Sequence, residues 1–222
     1  MQKYSVFSLI KNAFSNHQNW EVAWKDPTPK SEYDVVIIGG GGHGLATAYY
    51  LAKEHNIRNV AIIEKGWIGG GNVGRNTTII RSNFMYDANA RFNEFGMDLW
   101  RNLSQELNFN VMFSPRGIIN LAHSDAQMNA YARRGNSMRL NGIDAKLLDR
   151  DEVKKLIPMA DFSDEVRFPI FGGLMQPSAG TARHDAVAWG YARQADDMGV
   201  DIIQHCEVTG FDVVNGKIKG IR

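Results

Sequence analysis

The sequence of 222 residues has little of three things: cysteine, uncompensated charge and long apolar runs. Its one cysteine, Cys206, excludes an intramolecular disulfide and argues against a cysteine-built metal site, so we predict no metal and a cytoplasmic protein. The 25 basic and 24 acidic residues leave a net charge of +1, which argues against nucleic acid as the main partner. No apolar run approaches the ~18–20 residues that cross a bilayer, so no membrane partner is predicted.

Glycine, in contrast, is abundant. It accounts for 22 of the 222 residues, about a tenth, against a typical ~7%. These glycines concentrate at positions 39–44, 66–74 and 172–173, so we do not interpret them as a general linker.

Residues 1–30 form an N-terminal extension. Ser5–Phe14 has the pattern of a short amphipathic helix, and the segment Asp26-Pro27-Thr28-Pro29 excludes regular structure. The apolar stretch at Val6–Ile10 is too short for a signal peptide. We expect an arm that packs on the body of the protein or on a partner.

The next segment has the order of a parallel α/β unit. Tyr33–Ile38 is a β-branched run typical of a strand buried on both faces, and Asn59–Glu64 is a second one. Glycines and then a helical pattern over Leu45–Glu54 separate the two strands. The predicted fold class is therefore α/β, with a Rossmann-like parallel sheet and right-handed crossover helices.

Gly39, Gly41 and Gly44 form a G-x-G-x-x-G motif between the first strand and this helix. The first glycine allows a tight turn, the second lets a pyrophosphate approach the backbone, and the third lets the helix pack on the strand. The helix N-terminus would then face the phosphates. Glu64, 20 residues after Gly44, is placed to accept hydrogen bonds from ribose hydroxyls. We predict a dinucleotide site.

The segment after Glu64 favours FAD over NAD. It is a long glycine-rich loop, Gly66–Arg75, which we expect to hold no helix and to lead toward the isoalloxazine ring. Arg81, shortly beyond it, is a fork-shaped cation suited either to a carboxylate ligand or to a surface salt bridge.

Four motifs together resemble the β subunit of heterotetrameric sarcosine oxidase, a member of the glycine oxidase and D-amino-acid oxidase-like FAD-dependent oxidoreductases. They are the glycine turn with His43, the segment 64–67, the segment 76–83 and Gly180-Thr181-Ala182-Arg183-His184-Asp185. The resemblance extends from about Trp20 to the C-terminus.

This resemblance implies oxidative demethylation of sarcosine to glycine. Electrons would pass from non-covalent FAD to FMN and then to O2, giving H2O2. The one-carbon unit would go to tetrahydrofolate as 5,10-methylenetetrahydrofolate, or leave as formaldehyde. The partners would be α, γ and δ subunits.

The resemblance also implies site residues. His184 matches the histidine that carries covalent FMN, and its place at a helix start, where the dipole opposes protonation, suits a neutral nucleophilic imidazole. Arg81 matches the arginine that binds the substrate carboxylate in related single-chain enzymes. Cys206 does not match their flavin-linking cysteine, and we expect it to be a small buried residue. The implied FAD contacts are Gly39, Gly41, Gly42, His43, Gly44, Glu64, Asn72, Thr77, Thr78, Ile79 and Val208, the last in a strand over Val200–Val208.

The implied domain is an FAD-dependent oxidoreductase domain over residues 31–222. Residues 31–85 and about 180–222 would form its FAD-binding part, interleaved with a substrate or interface part of mixed sheet over about 86–179. Since the final segment stops in what we interpret as the second strand of a hairpin, with a turn at Asn215-Gly216, we expect the N-terminal part of a longer protein.

Two other classes stay open. One is a related flavin-dependent N-methyl amino acid dehydrogenase that passes electrons to a carrier. The other is an inactive nucleotide-binding fragment, because the residues that would close over the flavin would lie beyond this segment.

Overall fold

The computed structural model describes residues 5–18 and 22–222 of the chain. The chain divides into two compact units, each built from separate stretches of sequence. The first unit comprises Met1–Thr77, Ser104–Val111 and Arg183–Arg222, and the second comprises Thr78–Leu103 and Met112–Ala182.

A three-stranded parallel sheet forms the centre of the first unit. Strand β2 (Val60–Ile63) lies between β1 (Val35–Ile38) and β8 (Asp201–Ile203). Ile62 pairs with Ile37 on one side and with Ile202 on the other, and every residue of β2 is buried. The predicted parallel strand–helix–strand unit, and with it the α/β fold class, is confirmed.

β1 is less enclosed than its β-branched sequence predicts. Val36 and Ile38 are 37% and 51% exposed. β1 is an edge strand of this sheet, and both side chains lie beside clefts in the first unit. The expectation that β1 is buried on both faces is therefore wrong, because β-branching reflects a preference for extended backbone as well as burial.

Two helices of the first unit pack on each other, α2 (Gly42–His55) and α6 (His184–Asp197). Each presents small buried residues, such as Ala48 on α2 and Ala188 on α6, and these allow close approach of the two backbones. α2 ends at Asn56 in the left-handed conformation, with φ of 55°.

The N-terminal extension contains helix α1 (Val6–Phe14), capped by Ser5, whose hydroxyl accepts a hydrogen bond from the Ser8 N–H at 3.1 Å. Phe7 and Phe14 of α1 are 84% and 90% exposed. Farther along, Lys25 N–H donates to Asp196 Oδ1 at 2.9 Å and Lys30 pairs with Asp201 at 2.8 Å. The later part of the extension therefore packs on the body of the first unit.

The second unit is built on an antiparallel sheet. Its central strand, β6 (Gly172–Gln176), lies between β4 (Ile118–Ala122) and β5 (Lys146–Asp149). A short ladder joins β3 (Ile79–Ile80) to β7 (Gly180–Thr181). Its helices are α3 (Asp87–Glu106), whose last residues belong to the first unit, α4 (Asp125–Leu140) and α5 (Arg150–Leu156).

The glycine pair in β6 is required by packing between strands. A Cβ on Gly172 would lie 2.4 Å from the Leu148 carbonyl oxygen, and one on Gly173 would lie 2.9 Å from Ile119 Cγ2. This glycine cluster therefore has a packing cause within the second unit.

The C-terminal hairpin follows the prediction. β9 (Phe211–Val214) and β10 (Lys217–Ile221) are antiparallel, and Asn215 and Gly216 form the turn with φ of 52° and 73°. The strand predicted over Val200–Val208 is shorter than expected, because only Asp201–Ile203 pairs with β2.

Other segments differ from the prediction in kind. Asn72–Arg75 forms a 3₁₀ turn inside the segment expected to be a loop. α4 and β6 were not predicted, because α4 carries a weak apolar periodicity and β6 contains no β-branched residue. Among the described residues, no helix combines the length and the apolar character needed to cross a bilayer.

Candidate functional site

The turn between β1 and α2 has the geometry that its glycines predict. Gly39 has φ of +107°, a conformation that L side chains rarely adopt, and its N–H donates to the Ile63 carbonyl at 2.8 Å. A Cβ on Gly44 would lie 2.1 Å from the Gly39 carbonyl oxygen. The first and third glycines are therefore required for the turn and for the contact between helix and strand.

The second glycine leaves the N-terminus of α2 open. Gly41 is the N-cap of α2 and no side chain caps the helix there. A Cβ on Gly41 would meet only Val73 Cγ2, at 3.8 Å. Gly42 and the exposed His43 begin the helix itself. The first N–H groups of α2 are thus available to an anion, and the dipole favours one.

Glu64 ties the glycine turn to the loop after β2. Its Oε2 accepts from the Gly40 N–H at 2.7 Å, and its Oε1 accepts from the Gly66 N–H at 2.8 Å. Each carboxylate oxygen has a further lone pair, so Glu64 could still accept hydrogen bonds from ribose hydroxyls. The predicted ribose ligand also fixes the main chain of the cradle.

A cleft of about 710 Å³ opens beside this turn. It is within the size range of sites for small molecules and cofactors. Residues that sequence reasoning did not assign contribute to it, including Trp67 and Arg75. Its lining is Ile38, Gly39, Gly41, Ile63, Glu64, Lys65, Gly66, Trp67, Gly70, Gly71, Arg75, Cys206, Glu207 and Val208.

Val208 lies on this cleft, as its expected contact with FAD requires, but not in a strand. Residues 204–210, which follow β8, pair with no neighbouring strand in the part of the chain that the structure describes. Cys206 N–H instead donates to the Glu64 carbonyl at 3.0 Å, which holds this segment beside the end of β2. Cys206 is half-buried and lines the cleft, so the expectation that it is a buried residue is wrong.

Four predicted cofactor contacts, Asn72, Thr77, Thr78 and Ile79, lie around the end of the glycine-rich loop. Asn72 begins the 3₁₀ turn. Thr77 is the last residue of the first stretch of the first unit, and Ile79 begins β3 of the second unit. Thr78 has φ of 60°, which is rare for a β-branched residue and costs about 1–3 kcal/mol. Such strain is typical of functional segments.

His184 is the first residue of α6 and is half-buried. Its Nδ1 is buried and has no hydrogen-bond partner, which is an unusual state for a buried polar atom. The next residue, Asp185, accepts from Arg183 Nε and from the Ala186 N–H, both at 2.8 Å. Partial burial opposes ionisation of Asp185, but these bonds outweigh it and hold the pKa of Asp185 below its ordinary value.

Arg81 lies in the second unit, in a group that we call the arginine cluster: Arg81, Asn83, Asn120 and Arg134. Arg81 Nη1 donates to Asn83 Oδ1, and its guanidinium carbon lies 4.9 Å from the centroid of the Phe84 ring. Within residues 5–18 and 22–222, Arg81 forms no ion pair. A surface salt bridge, the alternative interpretation of Arg81, is therefore not observed in this part of the chain.

Sequence reasoning missed Asn83, Asn120 and Arg134. They are separated by up to 51 positions and carry no local motif. In the part of the chain that the structure describes, no group of His, Cys, Asp and Glu side chains could hold a metal ion.

Comparison with known proteins places these features in context. The FAD dependent oxidoreductase family matches residues 34–222. The sarcosine oxidase subunit beta of Rhizobium meliloti (strain 1021) is 60% identical over 219 residues, covering 99% of this chain and 52% of that protein. The protein of the same name from Arthrobacter sp is 52% identical over 202 residues, covering 91% of this chain and 50% of that protein.

A solved structure agrees with the fold. The L-proline dehydrogenase from P.horikoshii superimposes with a TM-score of 0.78 at 29% identity, covering 87% of this chain and 49% of that one. The chain spans about half the length of the curated relatives that it matches.

Proposed function

Since the chain belongs to the FAD dependent oxidoreductase family, we propose that it forms the FAD-binding half of a sarcosine oxidase β subunit. The observation that carries the proposal is the open cradle at Gly39–Gly44 with Glu64, in a chain 60% identical over 219 residues to a protein of that name. FAD fits this cradle, since a Cβ at Gly41 would reach only Val73 and the N-terminus of α2 has no side-chain cap.

In this proposal the chain supplies main-chain donors to the pyrophosphate and a carboxylate to the ribose. Gly39, Gly41, Gly42, His43 and Gly44 would face the phosphates, and Glu64 the ribose. Val208, on the cleft, would meet the adenine. Asn72, Thr77, Thr78 and Ile79 would lie toward the flavin, with Thr78 in its rare main-chain conformation.

The reaction is oxidative demethylation of an N-methyl amino acid. Sarcosine, O2 and water give glycine, formaldehyde and H2O2, or 5,10-methylenetetrahydrofolate replaces formaldehyde when tetrahydrofolate is present. The bound flavins supply the two-electron chemistry that links oxidation of the amine carbon to reduction of O2. Arg81 would bind the substrate carboxylate as a bidentate cation.

His184 would hold FMN through a covalent bond to the 8α-methyl carbon of the flavin. This attachment is supported by the state of the His184 ring, whose Nδ1 is buried without a hydrogen-bond partner. Because Nδ1 is enclosed, the bond to the flavin would form at Nε2. The nucleophile in this bond would be a neutral imidazole nitrogen. The α, γ and δ subunits would be the partners of the complete β subunit, in the cytoplasm.

The test uses the full-length β subunit in its assembled complex. Anaerobic mixing with sarcosine should bleach the flavin absorbance, and reoxidation by O2 should release H2O2 and formaldehyde. Reduction by dimethylglycine in preference to sarcosine, or reoxidation only by an electron carrier, would favour the related dehydrogenase. A colourless complex would favour the inactive fragment and contradict the proposal.

The FMN attachment has its own test. Trypsin cleaves after Arg183 and Arg193, so the peptide 184–193 should carry an FMN-sized mass increase when it is prepared from the holoenzyme. The matched control is the same digest of His184→Ala, which should release all FMN on denaturation. An unmodified peptide from a fully flavinylated complex would contradict the attachment at His184.

A further inference from the structure

Two guanidinium groups meet at one asparagine in the second unit. Arg81 donates to the Asn83 side-chain oxygen, while Arg134 of α4 donates to the Asn83 main-chain carbonyl, through Nε at 3.0 Å and also through Nη2. Asn83 is fully buried. It therefore joins the loop after β3 to helix α4.

The orientation of the Asn83 amide is fixed by Arg81. Because a guanidinium has only donors, the Asn83 oxygen must face it. The amide nitrogen is then left to donate to Asn120 Oδ1 on β4, at 2.9 Å. Asn83 thus determines where one nitrogen of the Arg81 guanidinium lies, and the Phe84 ring lies against the same group.

The two arginines have no counter-ion within residues 5–18 and 22–222. Among the residues that the structure describes, neither forms an ion pair with a carboxylate. The nearby Glu94 is occupied by Arg101 at 3.4 Å and by the Ser82 hydroxyl at 2.5 Å. Burial and the neighbouring Arg81 charge hold the pKa of Arg134 below its usual value. Half-buried cations that lack an anion indicate a site for one.

We propose that Asn83 and Arg134 are positioning residues of a substrate-carboxylate site at Arg81: Asn83 orients the guanidinium, and Arg134 holds Asn83 and adds a second positive charge. This rests on the proposed function, in which Arg81 binds an amino acid carboxylate. Asparagine suits the position because it orients a guanidinium without neutralising it. An aspartate there would compete with the substrate.

The experiment compares Asn83→Asp and Arg134→Gln in the full-length, flavin-loaded complex. Stopped-flow reduction by sarcosine gives the apparent dissociation constant and the limiting rate. Titration with acetate, monitored by the flavin spectrum, measures carboxylate binding without turnover. We expect Asn83→Asp to weaken both affinities at least tenfold and Arg134→Gln to weaken them about threefold to tenfold. The limiting reduction rate should change less than threefold, a split that general structural damage would not produce.

Two further variants serve as controls. Arg133→Gln removes the same charge from the neighbouring position of α4, where the side chain is exposed, and should leave both affinities within twofold of wild type. Arg134→Lys keeps the charge without the fork, and should recover part of the affinity lost in Arg134→Gln. If Asn83→Asp fails to fold, Arg134→Gln and Arg134→Lys decide the question.

Wild-type affinities for sarcosine and acetate in Arg134→Gln, or in a folded Asn83→Asp, would overturn the inference while leaving the proposed function intact. A wild-type complex that sarcosine does not reduce would overturn the proposed function. The acetate titration would then still test the carboxylate site, since it requires no substrate oxidation.

Discussion

The cradle in the first unit and the arginine cluster in the second both suit anions, but they are made differently. The cradle offers main-chain N–H groups at the start of α2, and at Gly44 it requires that a side chain be absent. The cluster uses side chains, and its members Asn83 and Arg134 lie 51 positions apart. A substitution that adds a side chain should therefore impair flavin binding at the cradle. A substitution that removes a buried polar group should instead lower the stability of the second unit.

The largest effect is expected from Gly44→Ala. The new Cβ would lie 2.1 Å from the Gly39 carbonyl oxygen, and the clash can be relieved only if the turn moves, at about 3 kcal/mol or more. We expect flavin content at least tenfold below wild type, measured as visible absorbance per protein in the full-length subunit.

The matched control is Gly96→Ala. Gly96 lies within α3 and has no neighbouring atom within 4 Å of a Cβ position. Helix propensity alone should stabilise this variant by up to about 1 kcal/mol, with no change in flavin content. Gly44→Ala protein as yellow as wild type would mean that the cradle tolerates a side chain.

The corresponding deletion in the second unit is Gln176→Leu. The Gln176 side chain is fully buried, accepts from the Ser82 N–H at 3.1 Å and donates to the Ser82 hydroxyl at 2.7 Å. Leucine would leave the buried Ser82 N–H unpaired, at about 1–3 kcal/mol. Chemical unfolding measures this loss of stability. The control is Gln176→Glu, which keeps an acceptor oxygen for the Ser82 N–H. Wild-type stability in Gln176→Leu would contradict the importance of these bonds.

A side chain also acts in the cradle, and Glu64→Gln tests how far the comparison holds. The amide can accept only one of the two N–H groups that Glu64 binds, at Gly40 and Gly66, and it loses the charge. We expect FAD affinity to fall about tenfold, equivalent to about 1.4 kcal/mol, in equilibrium titration of the apoprotein. Glu207→Gln changes an exposed carboxylate on the same cleft and should bind FAD like wild type.

The smallest effect is expected at the start of α6, from Asp185→Asn. The folded-state pKa of Asp185 lies below its ordinary value of 3.8, because bonds from Arg183 and Ala186 outweigh the opposing effect of burial. Its stabilisation is therefore present above pH 3.8 and is lost as pH falls through the folded pKa. We expect Asp185→Asn to lower the free energy of unfolding by about 0.5 kcal/mol at pH 7, and this loss should disappear in strong acid. Urea unfolding at a series of pH values measures it. A difference from wild type that stays constant with pH would contradict this cause.

Much of the first unit could be predicted because its pattern is local. The strand Val35–Ile38, its glycine turn and the start of α2 are adjacent in sequence, and the spacing of the motif alone indicates why Gly39 and Gly44 must be glycine. The second unit was harder. Its central strand β6 has no β-branched residue, and it is recognisable only from its pairing with β4 and β5.

The sequence by itself determined the parallel unit, the dinucleotide motif and the C-terminal hairpin, because short-range sterics and backbone conformation decide them. Only the tertiary structure decided that Glu64 binds Gly40 and Gly66, that β1 is half-exposed, and that Asn83 lies between two arginines. Those arrangements depend on which distant side chains share one buried space and must satisfy one another's hydrogen bonds, which no local pattern specifies.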